Sequence, residues 1–220
     1  MPMNGWGRQA AKSPLMNGRK ANDEEREETS SMRVIAGTAR SLPLKAPTGL
    51  DVRPTTDRIK ETLFNILQPD LPGAVFLDLF SGSGGIGIEA LSRGARKAYF
   101  VENSPKAAAC IQQNLTFTKM ADRAILVKQD VLSALSGIPE KQADVIFMDP
   151  PYADGSERNV LALLSRMRYV TEDTLIVTEA ALKTDFSYLG ELGFGLVREK
   201  RYKTNKHVFL RRASSDPNVP

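Results

Sequence analysis

From residue 74 onward the chain alternates short apolar runs with stretches whose apolar residues recur every three or four positions. The strand-like runs are Ala74 to Phe80, Ala98 to Glu102, Ala124 to Gln129, Asp144 to Asp149 and Thr174 to Ala180. Between them the spacing predicts helices near 85–93, from Ser104-Pro105 onward, near 131–137 and near 157–167. A serine N-cap followed by proline in the first helical position makes residue 104 a strong start signal. Such alternation predicts a mostly parallel sheet with helices on both faces, an α/β Rossmann-like architecture. Beyond residue 194 the pattern changes. Gly195 to Lys203 and His207 to Arg212 are strand-like and joined across Thr204-Asn205, which leaves room only for an antiparallel hairpin.

Upstream, Thr55 or Thr56 is placed to cap a helix carrying Ile59, Leu63, Phe64, Ile66 and Leu67 at helical spacing, stopped by Pro69 and Pro72. Before it, Val34 to Gly37 and Leu42 to Pro47 flank Thr38 to Ser41, the pattern of a small hairpin arm too short to fold alone. Residues 1–31 show no apolar periodicity and read as a leader, with Met32 as the natural start and Trp6 as an incidental exposed aromatic. The expected organisation is a leader over 1–31, an arm over 32–52, one core domain over 53–212 and a tail over 213–220.

Composition narrows the function classes. The hydrophobic share of 41% and charged share of 25% are those of a soluble globular chain, and no apolar run approaches the ~20 residues of a membrane span. With no secretory leader visible, a cytoplasmic protein is expected. One cysteine, Cys110, and one histidine, His207, are too few for a protein-built structural zinc site, so no metal is expected. Cys110 falls on the apolar side of its helix and His207 inside the hairpin, which suits core positions better than catalytic ones. The net charge is +4. The acidic and basic residues of the leader cancel, so the excess lies around Arg33 to Lys60 and Arg198 to Arg212 and suggests an anionic partner.

The turn after the first core strand reads Asp78-Leu-Phe-Ser-Gly-Ser-Gly-Gly-Ile-Gly-Ile-Glu89. Glycines between a strand and a helix let a ligand approach backbone N–H groups at the positive helix end, so this is a nucleotide-cofactor loop. Gly82, Gly84 and Gly87 also fit the dinucleotide fingerprint, with Glu102 about 20 residues later where it would accept bonds from ribose hydroxyls. An acid at 78 suits a ligand ammonium better than a pyrophosphate, which favours S-adenosylmethionine over NAD. Asp130, after the third strand, is a candidate for the adenine amino group with the Val131 backbone beside it; Asp130 also has a plain reading as a helix N-cap. Asn103 follows Glu102 in the same loop.

Asp149-Pro150-Pro151-Tyr152 ends the fourth strand, where open α/β sheets bind ligands. Two prolines stiffen the turn, so the Asp149 carboxylate and Pro150 carbonyl present fixed acceptors to an exocyclic amino group, and Tyr152 offers a face for an extruded base. An exocyclic amine is a poor nucleophile because its lone pair is delocalised into the ring. Acceptors on its hydrogens aim that lone pair at an electrophilic methyl.

This tetrad in this slot resembles the signature of methyltransferases acting on base amino groups. More narrowly, residues 32–212 resemble the RsmD-type bacterial 16S ribosomal RNA guanine-N2 methyltransferases. The resemblance rests on Met32 to Gly37, Arg53 to Asn65, Asp78 to Ala90, Val101 to Asn103 and Asp149 to Tyr152. It implies a seven-stranded methyltransferase sheet, S-adenosylmethionine as cofactor and a guanine of the small-subunit RNA as target; separately, a monomer is expected. Tyr152 stands where some relatives carry Phe, and Lys203 to Lys206 lacks the glycine expected in that turn. Arg33, Arg53, Arg58, Lys60, Lys203 and Lys206 are the candidate RNA contacts, with Arg40 as a further one. Three other readings stay open: a DNA adenine-N6 methyltransferase, an NAD-linked oxidoreductase, and a non-catalytic RNA-binding relative.

Overall fold

The structure, a computed structural model, describes residues 32–47, 56–151 and 155–213. The expectations for the leader, Arg53, Tyr152 and the tail beyond 213 fall outside them. Seven strands form one sheet in the order β3-β2-β1-β4-β5-β7-β6. They are β1 (Val75–Leu79), β2 (Lys97–Val101), β3 (Ala124–Val127), β4 (Val145–Met148), β5 (Leu175–Ala181), β6 (Phe194–Arg201) and β7 (Asn205–Arg212). β1 to β5 run parallel, and β7 lies antiparallel between β5 and β6. The central strands β1, β4 and β5 are short, mostly apolar and buried because they are covered on both faces, whereas β6 at the edge is charged and largely exposed. The helices are α1 (Asp57–Leu67), α2 (Gly85–Ser92), α3 (Pro105–Phe117), α4 (Val131–Leu135) and α5 (Ser156–Leu164). None of the described helices is long and apolar enough to cross a membrane.

Alternation along each strand divides the core in two. Phe76, Phe100, Phe147, Val177 and Phe209 point to the face covered by α1, α2, α3 and the arm. Leu77, Val101, Ile146, Ile176 and Val208 point to the face covered by α4 and α5. Ser104 caps α3 through Ala107 N–H as the sequence predicts, whereas Thr56 precedes α1 without a side-chain cap.

The arm is not a regular hairpin. Its described residues share one antiparallel bridge, Arg33 with Pro43. What fixes it is the body beneath. The Glu89 carboxylate, fully buried on α2, accepts the Ile35 and Ala36 N–H groups at 2.7 and 3.0 Å, and the Ser92 hydroxyl oxygen accepts the Ala39 N–H. Asn114 of α3 takes the Lys45 N–H on its carbonyl and donates to the Lys45 and Ser83 carbonyls, joining the arm to the glycine loop.

Two basic residues expected at the RNA surface are interior. Lys60 is 2% exposed; its Nζ donates to the Arg33 carbonyl and lies 4.0 Å from Glu89. Burial drives its pKa below the ordinary lysine value against the pull of Glu89. Lys206 is 5% exposed, 3.0 Å from Glu199 and above the Phe186 ring. The expectation failed there because β7 is an inner strand with both faces covered, not the outer half of a hairpin. The turn also falls one residue earlier, with Asn205 already in β7 and its carbonyl accepting the Tyr202 N–H.

Candidate active site

The glycine loop leaves the carboxyl end of β1 through Phe80, whose φ of 66° is a left-handed conformation rare for a bulky residue. Ser81 steadies the turn, its hydroxyl donating to the Asp78 carbonyl. Gly84 is the N-cap of α2 with φ 79°, a conformation that favours glycine there. Asp78 lies beneath the loop, 1% exposed, with its carboxylate accepting the Gly87 N–H at 2.8 Å. Burial, reinforced by Glu102 and Asp149 and opposed by the Gly87 bond, pushes its pKa up to about 7. Glu102 accepts the Gly82 N–H on one oxygen and the Ser104 N–H on the other, both at 2.8 Å. It therefore sets the loop against β2 while keeping further lone pairs for hydroxyl donors.

Asn103 is exposed beside Glu102. Asp130 is also exposed and caps α4 through the Leu132 N–H at 2.9 Å, so its plain reading is realised in the structure; Val131 beside it is buried. Arg33, Arg40, Arg58 and Lys203 are exposed, with Arg33 paired to Asp57 at 2.7 Å. Cys110 is buried.

Gly87 explains why α2 sits where it does. A Cβ there would lie 2.4, 2.7 and 3.0 Å from atoms of the fully buried Phe100 ring. Gly87→Ala is expected to lift α2 from the sheet, stretch the Asp78 bond and weaken binding of a ligand at the glycine loop about tenfold, at a stability cost of about 1–3 kcal/mol. Calorimetric titration checks this. Gly190→Ala, where an added Cβ meets nothing within 4 Å, is the neutral control.

Sheet register brings a second group to the same edge. Leu79 pairs with Val101 and Met148, Met148 pairs with Thr178, and Glu179 pairs with His207. One residue further along the parallel strands, Glu102, Phe80, Asp149, Glu179 and His207 form a row across the carboxyl edge. Asp149 is half-buried, and desolvation reinforced by the Glu179 charge pushes its pKa up to about 7. Glu179 receives the Asn205 side-chain amide and His207 Nε2, the latter at 3.1 Å. His207 Nδ1 meets the Tyr202 hydroxyl, also at 3.1 Å. Sequence reasoning missed this group. Its available signal was a Glu in a buried strand otherwise without charge, in register with the lone histidine.

A parallel sheet of this order with a reversed last strand, a glycine loop after β1 and Asp-Pro-Pro after β4 define a Rossmann-like methyltransferase. The family model described as conserved hypothetical protein 95 matches residues 32–211, and the chain belongs to that family, the RsmD family. It is 35% identical over 157 residues to the ribosomal RNA small subunit methyltransferase D of Escherichia coli, covering 70% of this chain and 77% of that one. It is 37% identical over 151 residues to the Haemophilus influenzae protein of the same name, covering 67% and 78%. Among solved structures, yhhF of Escherichia coli, described as a methyltransferase, superimposes with a TM-score of 0.71 at 32% identity, covering 84% of this chain and 99% of that one.

Proposed function

We propose that this chain transfers a methyl group from S-adenosylmethionine to the N2 amino group of a guanine in the 16S RNA of the small ribosomal subunit. The observation that carries the reading is the shared edge of Asp149-Pro150 and the glycine loop, on neighbouring strands β4 and β1. The names of the relatives supply the substrate class.

The residues fit the cofactor. Asp78 is a buried acid under the loop, suited to a cationic group; Glu102 suits ribose hydroxyls; and Gly82 and Gly84 leave backbone open to the ligand. Asn103, Asp130 and Val131 would flank the adenosine end. When bound, S-adenosylmethionine supplies an electrophilic sulfonium methyl. Asp149 and the Pro150 carbonyl then hold the two amino hydrogens and aim the nitrogen lone pair, with Tyr152 stacking on the extruded base. Arg33, Arg58, Arg53 and Lys203 hold phosphates around it; Lys60 and Lys206, being interior, do not belong to that set.

The test is transfer of labelled methyl to unmodified 16S RNA, partly assembled small subunits and genomic DNA, followed by nucleoside analysis. N2-methylguanosine in RNA or subunits is the expected product. Label found only as N6-methyladenine in DNA would replace this reading with a DNA methyltransferase.

A further inference from the structure

Glu179 is 6% exposed, lies next to Asp149 across the β4–β5 register and carries two donors on its carboxylate. Alternation puts it on the same face as Asp149. Phe147, Val177 and Phe209, each two residues away from Asp149, Glu179 and His207, share one core cluster. Placing two acidic side chains side by side in a desolvated edge is costly, so what surrounds the second one matters.

Two donors face the Glu179 carboxylate, surroundings that favour its ionised form. An ionised carboxylate only accepts, so His207 Nε2 is the donor of that bond, and Nδ1 on the far side of the ring meets the Tyr202 hydroxyl. Tyr202 keeps its proton, its pKa raised to about 12 by burial and by Glu179 itself. The imidazole is fully buried, with Phe147, Tyr202 and Phe209 edge-on to it, so the ring is held in place. Asn205 turns its amide N–H to Glu179 and leaves its own buried carbonyl oxygen with no partner among the described residues. A buried acceptor left unpaired costs about 1–3 kcal/mol, and here the opposite orientation would set oxygen against the carboxylate.

We propose that Glu179, clamped by His207 and Asn205, is a positioning residue whose fixed negative charge makes Asp149 the acceptor of the proton shed by the target amine. This rests on the proposed methyl transfer. As the amine nitrogen gains its methyl, the donor sulfur–carbon bond breaks and the nitrogen becomes cationic. One N–H bond then breaks toward the Asp149 carboxylate, leaving a neutral methylamino group and a protonated Asp149 that returns its proton to solvent. A carboxylate at its ordinary proton affinity is a weak partner for that step; one beside a second anion is a stronger one. The charged and titratable groups around Asp149 support the assignment. Glu179 faces it from β5 and Asp78 from β1, Glu102 stands beyond Asp78, and His207 and Tyr202 stand behind Glu179.

Two readouts test this in the full chain: carbon-13 NMR titration of the Asp149 carboxyl, assigned with Asp149→Asn, and the pH dependence of single-turnover methyl transfer. Wild type is expected to show a carboxyl titration near pH 7 and a rate that rises through the same range. In Glu179→Gln both move to lower pH by about one unit or more, and the plateau rate falls about tenfold, with S-adenosylmethionine affinity unchanged. His207→Leu, which removes a donor from Glu179, should follow the same direction, and His207→Gln, which restores an N–H, should lie close to wild type. An Asp149 titration unmoved in Glu179→Gln overturns the proposal whatever the rates do. A titration that moves while the rate profile stays fixed overturns it too. Wild-type protein that methylates nothing defeats the parent reading and this one with it, whereas methyl transfer with an unmoved Asp149 titration in Glu179→Gln defeats this one alone.

Discussion

Asp149→Ala protein is expected to bind S-adenosylmethionine as wild type does and to transfer methyl on the order of 10³-fold more slowly. The carboxylate stands at the end of β4, outside the contacts that hold the glycine loop, so its removal leaves Asp78, Glu102 and the start of α2 in place. What is lost is an acceptor on a hydrogen of the reacting nitrogen and the base that takes it, a contribution of roughly 10²–10⁴ for a well-placed general base. Asp149→Asn should do little better, because a neutral amide neither attracts the developing positive charge nor accepts the proton. The wild-type sign is fixed by the raised pKa. Activity is present above about pH 7, where the carboxylate is ionised, and falls as pH drops through that value. Single-turnover rates paired with calorimetric binding check both halves. An Asp149→Ala enzyme retaining more than a tenth of the wild-type rate would sink the assignment.

Glu89→Ala is expected to be the most destabilising single change on the arm side of the sheet. Glu89 is fully buried, pairs with Arg93 at 2.7 Å, faces Lys60 and receives two arm N–H groups. Truncating it leaves two interior cations without their anion and two backbone donors without an acceptor. Breaking a buried pair in this way costs about 3–5 kcal/mol, roughly 10 °C of melting temperature at this chain size. Thermal unfolding measures the total, and hydrogen exchange at Ile35 and Ala36 locates it, since those amides should lose protection first. Arg33→Ala removes only the exposed pair with Asp57 and should cost under about 1 kcal/mol. If the two variants melt alike, the cluster around Glu89 is not what pins the arm.

Much of the sheet was legible because its strands are apolar runs punctuated by capped helices, and Ser104-Pro105 and Gly82 to Gly87 are local signals that survive any packing. The misread positions share a cause. Lys60 stands three and four residues before Leu63 and Phe64, so its place on the buried stripe of α1 was already written in the spacing; its charge was weighed above its position. Lys206 reads as an RNA contact from the basic run it stands in, and only the three-dimensional strand order shows β7 enclosed. Asp130 carried two readings that differ only in what lies beyond the helix end. Glu179 could not be singled out, because its meaning depends on register with His207 and Asp149, residues 28 and 30 positions away.

The strand order also has a consequence for how the molecule assembles. β7 follows β6 in the chain yet separates it from β5, pairing Ile176 with Leu210 and Ala181 with Asn205. Until residues 205–212 arrive, β5 presents an unpaired apolar edge, the kind of surface on which growing chains stick to one another. A chain truncated before residue 205 would leave that edge open, and is expected to associate with itself more readily than the full chain. Rapid closure of the β6–β7 hairpin, whose contacts are local, shortens that exposure, and the step that seals the sheet is the same one that seats His207 beside Glu179.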